Sequence, residues 1–254
     1  MPIPVFNTFR RSACAAALAG LSACTLPGSN DVTSEGIFDP YEPENRQVHA
    51  FNKALDTNIV RPVAVAYDAV VPDGIERNIL NFSDNLSVPG AIINQVMQLD
   101  MNGATRNSVR FIINSTLGFG GLADVASDMG LPEDDADFGQ TLAVWGFPEG
   151  AFLEIHALGP MTERDGVGKI VDYALNPLRG LGAKESDIAT GAGVAAGLTA
   201  RSKFSSTIDS VLYESTDSYA ASRDIYLQNR RFELEQAGVA KEDESDPYAD
   251  IFGE

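Results

Sequence analysis

Cys24 is the residue whose chemistry its neighbours define most sharply. It closes the run Leu21-Ser22-Ala23-Cys24, behind a basic Arg10-Arg11 pair and a short apolar stretch from Ser12 to Leu21. A basic start, an apolar run and small residues at the cut are the parts of a secretory signal peptide, here residues 1–23. A cysteine placed first after the cut offers a thiol to diacylglycerol and a freed amine to an acyl chain such as palmitate. Three such chains, buried at about 0.8 kcal/mol per methylene, hold a protein to a bilayer almost permanently. The apolar stretch itself is too short to span, at about half of the roughly twenty residues required. Cys14 is a poorer acceptor, because Arg11 lies three residues before it. Ordinary secretion with cleavage near Ala23 and an incidental Cys24 is the alternative. Thr25 stands where aspartate would signal inner-membrane retention, so the expected address is the periplasmic face of the outer membrane, lipid-anchored.

Groups that catalyse are otherwise sparse. The chain has two histidines, His49 and His156, with neither HExxH spacing nor a Cys/His cluster, so no metal is expected. Gly118-Phe119-Gly120-Gly121 lacks the preceding strand and the lysine of a phosphate-binding loop, and no G-x-S-x-G elbow supplies a lipase nucleophile. His49 reads as a helix-surface residue. These features point away from an enzyme and from any cofactor beyond the covalent lipid. A formal charge of −18 excludes nucleic acid as a natural partner, and it weakens simple adsorption on anionic headgroups.

A second chemistry is carried by amides. Ten asparagines lie between Asn45 and Asn114, although asparagine is a poor helix former. At 100° per residue Asn52 and Asp56 flank Phe51 and Leu55, Asn81 and Asn85 flank Ile79 and Phe82, and Asn107, Arg110 and Asn114 oppose Val109, Ile112 and Ile113. Each is explained by the polar flank of a surface helix or by a cap. As a set they also suit helices that turn apolar arcs to lipid and polar faces inward, as candidate channel or lipid contacts. Tyr219, Arg223, Tyr226 and Arg230 share another helical face, either solvated or able to hold a headgroup or a partner.

These residues need helices to position them, and helical periodicity dominates the domain. With 44% hydrophobic residues the chain can bury one core. The expected organisation is a lipidated tether over 24–38, a helical domain over 39–238 and an acidic disordered tail over 239–254. The tether from Thr25 to Gly36 reaches about 40 Å if fully extended. Pro62, Pro72 and Pro89 are expected to cut the first hundred residues into short helices. Thr162-Glu163-Arg164-Asp165 reads as a capping box opening a helix, and Ala151 to Leu158 as strand-like, the source of one small hairpin. The fold class is mainly α.

Between Asp39 and Arg231 the sequence resembles the MlaA/VacJ family of outer-membrane phospholipid-transport lipoproteins. The resemblance is carried by Asp39-Pro40-Tyr41-Glu42, Asn45-Arg46, Phe51-Asn52, Arg61-Pro62-Val63-Ala64, Asn81-Phe82, Asn85-Leu86, Asn94, Arg110-Phe111 and Asn114. Gly118-Phe119-Gly120-Gly121-Leu122, Phe138-Gly139-Gln140-Thr141-Leu142, Trp145-Gly146, Gly159-Pro160, Arg164-Asp165-Gly166 and Arg223-Asp224 continue it. It implies a ring of short amphipathic helices embedded in one membrane leaflet around an amphipathic channel. It further implies removal of phospholipids from the outer leaflet, their transfer to a periplasmic lipid carrier, and association with a trimeric porin. The chain departs from the pattern at His156, where the family commonly has proline, and in its strongly acidic 131–137 loop. An adaptor lipoprotein bound to porins without lipid transfer is the competing reading, and a phospholipid hydrolase a weaker one.

Overall fold

The computed structural model describes residues 37–176 and 183–239; the signal peptide, Cys24 and most of the tether and tail lie outside them. Helix α1, Glu42–Leu55, opens with acidic Glu42 and Glu44 and with a proline in its first turn, all favourable at a helix N-terminus. It runs without a break through a π-helical turn, Asp56–Val60, into α2, Arg61–Val70. Pro62 therefore does not cut the chain as expected. The wider turn precedes it, and proline is tolerated at the start of the next helical segment, where its missing N–H is not needed.

Pro72 does end a helix, with Val71 before it in an extended conformation. The next helix, α3, Asp73–Met97, is 25 residues long and carries Pro89 inside it. The proline removes one backbone bond, and the packed contacts of this helix outweigh that loss. At about 1.5 Å per residue α3 spans roughly 38 Å, much longer than the short helices expected. Asp100 then caps α4, Met101–Thr116, by accepting from the Gly103 amide. This helix packs along α3.

The following loop is set by glycine. Gly121 has φ +98°, and a Cβ there would lie 2.6 Å from the Asn85 side chain. After it come α5, Val125–Asp128, and α6, Phe138–Val144, capped by Asp124 and Asp137. Strands β1, Phe152–Ile155, and β2, Gly159–Thr162, form the one antiparallel hairpin among the described residues. Thr162 caps α7, Glu163–Leu175, by accepting from the Asp165 amide, as the capping box requires. Helices α8, Ala183–Lys203, and α9, Ser205–Asp209, lead through a second π-helical turn, Ser210–Glu214, to α10, Ser218–Gln236.

The apolar core is small: Ile37, Phe152, Tyr219 and Leu227, with Tyr226 against it. Elsewhere the usual distribution is inverted. Among the described residues, buried polar and charged side chains outnumber the buried apolar ones, whereas Val63, Val65, Val70, Val109, Ile112, Leu117 and Phe119 are exposed. No helix among the described residues is long and apolar enough to cross a membrane.

Candidate functional site

Helix α4 shows how the inversion is built. Asn107, Arg110 and Asn114 recur at i, i+3 and i+7 and point inward, while Val109 and Ile112 face out. Their partners come from the connections that follow. Asp124 accepts from Arg110 Nη2 at 3.2 Å and from Asn114 Nδ2 at 2.8 Å. Asn114 Oδ1 in turn accepts from the Ala126 amide at 2.9 Å. Arg110 Nη1 also donates to the Ser127 hydroxyl at 3.0 Å and to the Leu131 carbonyl. Asn107 donates to Gln95 Oε1 at 3.0 Å and to the Asp134 carbonyl at 2.6 Å. The polar face of α4 therefore staples the 118–137 stretch onto α3. Asn85 joins it through a 3.2 Å bond to Ser115, and Asn81 reaches the Leu122 carbonyl at 3.3 Å.

Two candidates sit apart. Asn52 grips the hairpin, donating to Glu154 Oε1 at 2.9 Å and to the Ile155 carbonyl at 3.0 Å, and accepting from the Ala157 amide at 2.8 Å. Asp56, in the π-helical turn, receives a two-pronged bond from Arg201, each arm 2.8 Å, and one from Tyr213 at 2.6 Å. His49 is not on the surface as expected. Its face of α1 packs on β1 and the start of α10, so the ring is buried, with Nε2 3.1 Å from the Ser218 hydroxyl and Nδ1 3.6 Å from Glu154.

The Tyr219–Arg230 face of α10 turns toward the body of the fold. Tyr219 donates to Asp39 at 2.5 Å and Arg223 to the same carboxylate at 3.0 Å. Tyr226 donates to Asp165, and Arg230 bonds Asp165 at 2.9 Å and Asp137 at 2.7 Å. Burial alone would push the Asp165 carboxyl up, but Arg230 and the Tyr226 hydroxyl outweigh it and hold it below the usual range.

A cavity of about 1520 Å³ opens beside this clamp. Gln95 of α3, Gln140 of α6, Arg164 of α7, the 133–137 loop, and Arg230 and Glu233 of α10 line it. None of the seven asparagine, aspartate and arginine candidates of the first four helical segments belongs to its lining; of the α10 face only Arg230 does. Glu133 and Asp135 keep solvent contact on the cavity wall, and partial loss of their water together with neighbouring carboxylates raises both above the ordinary range. Sequence reasoning missed Gln95 and Arg164 as cavity residues. Arg164 was visible only as part of a capping box, since nothing local says where its side chain ends.

Residues 37–233 match the family described as MlaA lipoprotein. An uncharacterized protein of Rickettsia conorii is 37% identical, with 77% of this chain and 78% of that protein covered. The intermembrane phospholipid transport system lipoprotein MlaA of Shigella flexneri is 33% identical over 88% of each chain. A solved structure, reported as the structural basis for maintenance of bacterial outer membrane lipid asymmetry, superposes with a TM-score of 0.68. It is 32% identical, with 77% of this chain and 98% of that one covered.

Proposed function

The chain belongs to the MlaA lipoprotein family, and we propose that it is an outer-membrane lipoprotein that withdraws phospholipids from the outer leaflet and passes them to a periplasmic carrier. The observation that carries this reading is the inverted distribution of polarity. Apolar side chains on α2 and α4 face outward, polar ones are buried, and a wide polar cavity lies within reach of the surface. Such a body is stable with lipid tails around it. Its interior also lowers the cost of moving a charged headgroup, which in bare hydrocarbon amounts to several kcal/mol.

No covalent step is needed, because the lipid leaves chemically unchanged. The cavity gives the headgroup polar partners while its acyl chains remain in apolar surroundings. Asn81, Asn85, Asn107, Arg110 and Asn114 hold the walls in place, and Arg230 is the member of the α10 face that lines the cavity, its charge taken up by Asp137, Asp165 and Glu233. Asn52 and Asp56 fix the hairpin and the α8–α9 region. The acyl chains on Cys24 would deliver the protein to the outer membrane and orient it, with a trimeric porin as neighbour. Purified lipidated protein, extracted in mild detergent, should carry phospholipid detectable by mass spectrometry. Protein free of phospholipid would favour an adaptor that moves no lipid.

A further inference from the structure

The cavity wall carries charged groups that the protein does not itself hydrogen-bond in full. Arg106 meets Asp134 at 2.8 Å, and Arg230 meets Asp137 at 2.7 Å and Glu233 at 3.1 Å, so those groups on the wall are paired. Arg164 is different. Its side chain is buried, at 4% exposure, and Nη1 donates to the Phe147 carbonyl at 3.2 Å. Nε and Nη2 find no acceptor among the described residues; the neighbouring Asp165 carboxylate feels the guanidinium's charge but is bonded by Tyr226 and Arg230 instead. On the same cavity, Glu133 and Asp135 are exposed and bond no other side chain among the described residues.

A buried guanidinium with idle donors is costly to maintain unless something supplies acceptors. Its planar fork matches the oxygens of a phosphate, whereas carboxylates accept from a primary ammonium. On the footing of phospholipid passage, we infer that this cavity is a headgroup site for zwitterionic phospholipids of the ethanolamine type. Arg164 takes the phosphodiester; Glu133 and Asp135 take the ammonium and disfavour a headgroup of net negative charge. The acidic 133–137 stretch, which otherwise leaves like charges crowded together, thereby acts as a filter on which lipid enters.

The test uses the full lipidated protein, stripped of lipid in detergent and offered mixed micelles with equal amounts of phosphatidylethanolamine and phosphatidylglycerol. Bound lipid is then counted by mass spectrometry, with folding checked by circular dichroism. Wild type should enrich phosphatidylethanolamine about fivefold or more. Arg164→Gln should lower total bound lipid about fivefold, and Arg164→Lys, which keeps the charge but not the fork, by less. The double variant Glu133→Gln, Asp135→Asn should keep the total and bring the ratio toward one. If Arg164→Gln does not fold, the lysine and double variants decide the matter. Wild type that binds both lipids equally, or Arg164→Gln that binds as wild type does, overturns the headgroup site alone. Wild type that binds neither lipid overturns the transport reading with it. Inorganic phosphate serves as a separate probe: stabilisation by phosphate that Arg164→Gln abolishes, without lipid enrichment, would assign Arg164 to a free anion and overturn the headgroup site.

Discussion

Asp124 holds Arg110, Asn114 and Ser127 together, and Arg110 is buried. Asp124→Asn leaves that guanidinium short of its counter-charge, at a cost of about 3 kcal/mol. For a chain of this size the melting temperature should fall by roughly 6–12 °C, read by thermal unfolding in detergent. Gly121→Ala should destabilise by more than about 1 kcal/mol, because its φ is positive and a Cβ would meet Asn85. An unchanged melting curve for either variant would contradict the stapling described for α4. That Asn107, Arg110 and Asn114 share one face was legible from helical spacing; that this face points inward was not, because a solvated flank has the same spacing. Their partners were not, because Asp124, Leu131 and Asp134 lie in irregular connections that no periodicity reports. The same holds for His49, whose burial depends on where the hairpin docks.

Helices α7 and α10 and the cap of α6 meet at Asp165, whose folded carboxyl sits below the ordinary range. A depressed carboxylate contributes stability above its unfolded value of about 4, and this is lost as pH falls through the folded value. Glu133 and Asp135 act in the opposite sense. Their raised values mean that protonation on acidification relieves unfavourable charge before the Asp165 contribution is lost. Thermal stability should therefore rise slightly below neutral pH and then fall at strongly acid pH. Arg230→Met should flatten the acid limb, and a melting temperature independent of pH would contradict the assignment. The capping box and the hairpin were legible in the sequence because both are local patterns. The lengths of α1–α2 and α3 were not. A π-helical turn absorbs Pro62, and packing along α4 carries α3 past Pro89, so tertiary contacts overrode the local signal.

At the scale of the whole molecule, the helical class and the existence of apolar arcs could be read from sequence, whereas their outward direction and the cavity could not, since the cavity walls come from residues far apart along the chain. The loop after α4 carries Leu117, Phe119 and Leu122 outward, with Phe119 83% exposed at φ +53°. Replacing all three by serine should leave the helical signal intact and weaken retention in phospholipid vesicles, measured by flotation; unchanged flotation would remove this loop from the membrane contact. Cys24→Ser should mis-sort the protein and yet leave a product that still requires detergent, because the apolar exterior belongs to the domain itself. The central claim, that the chain withdraws phospholipid from the outer leaflet, is tested most directly in cells deleted for it, by surface labelling of outer-leaflet phospholipid. The expected result is an increase in exposed phospholipid on deletion, reversed by the wild-type chain; a surface unchanged by deletion would contradict the account.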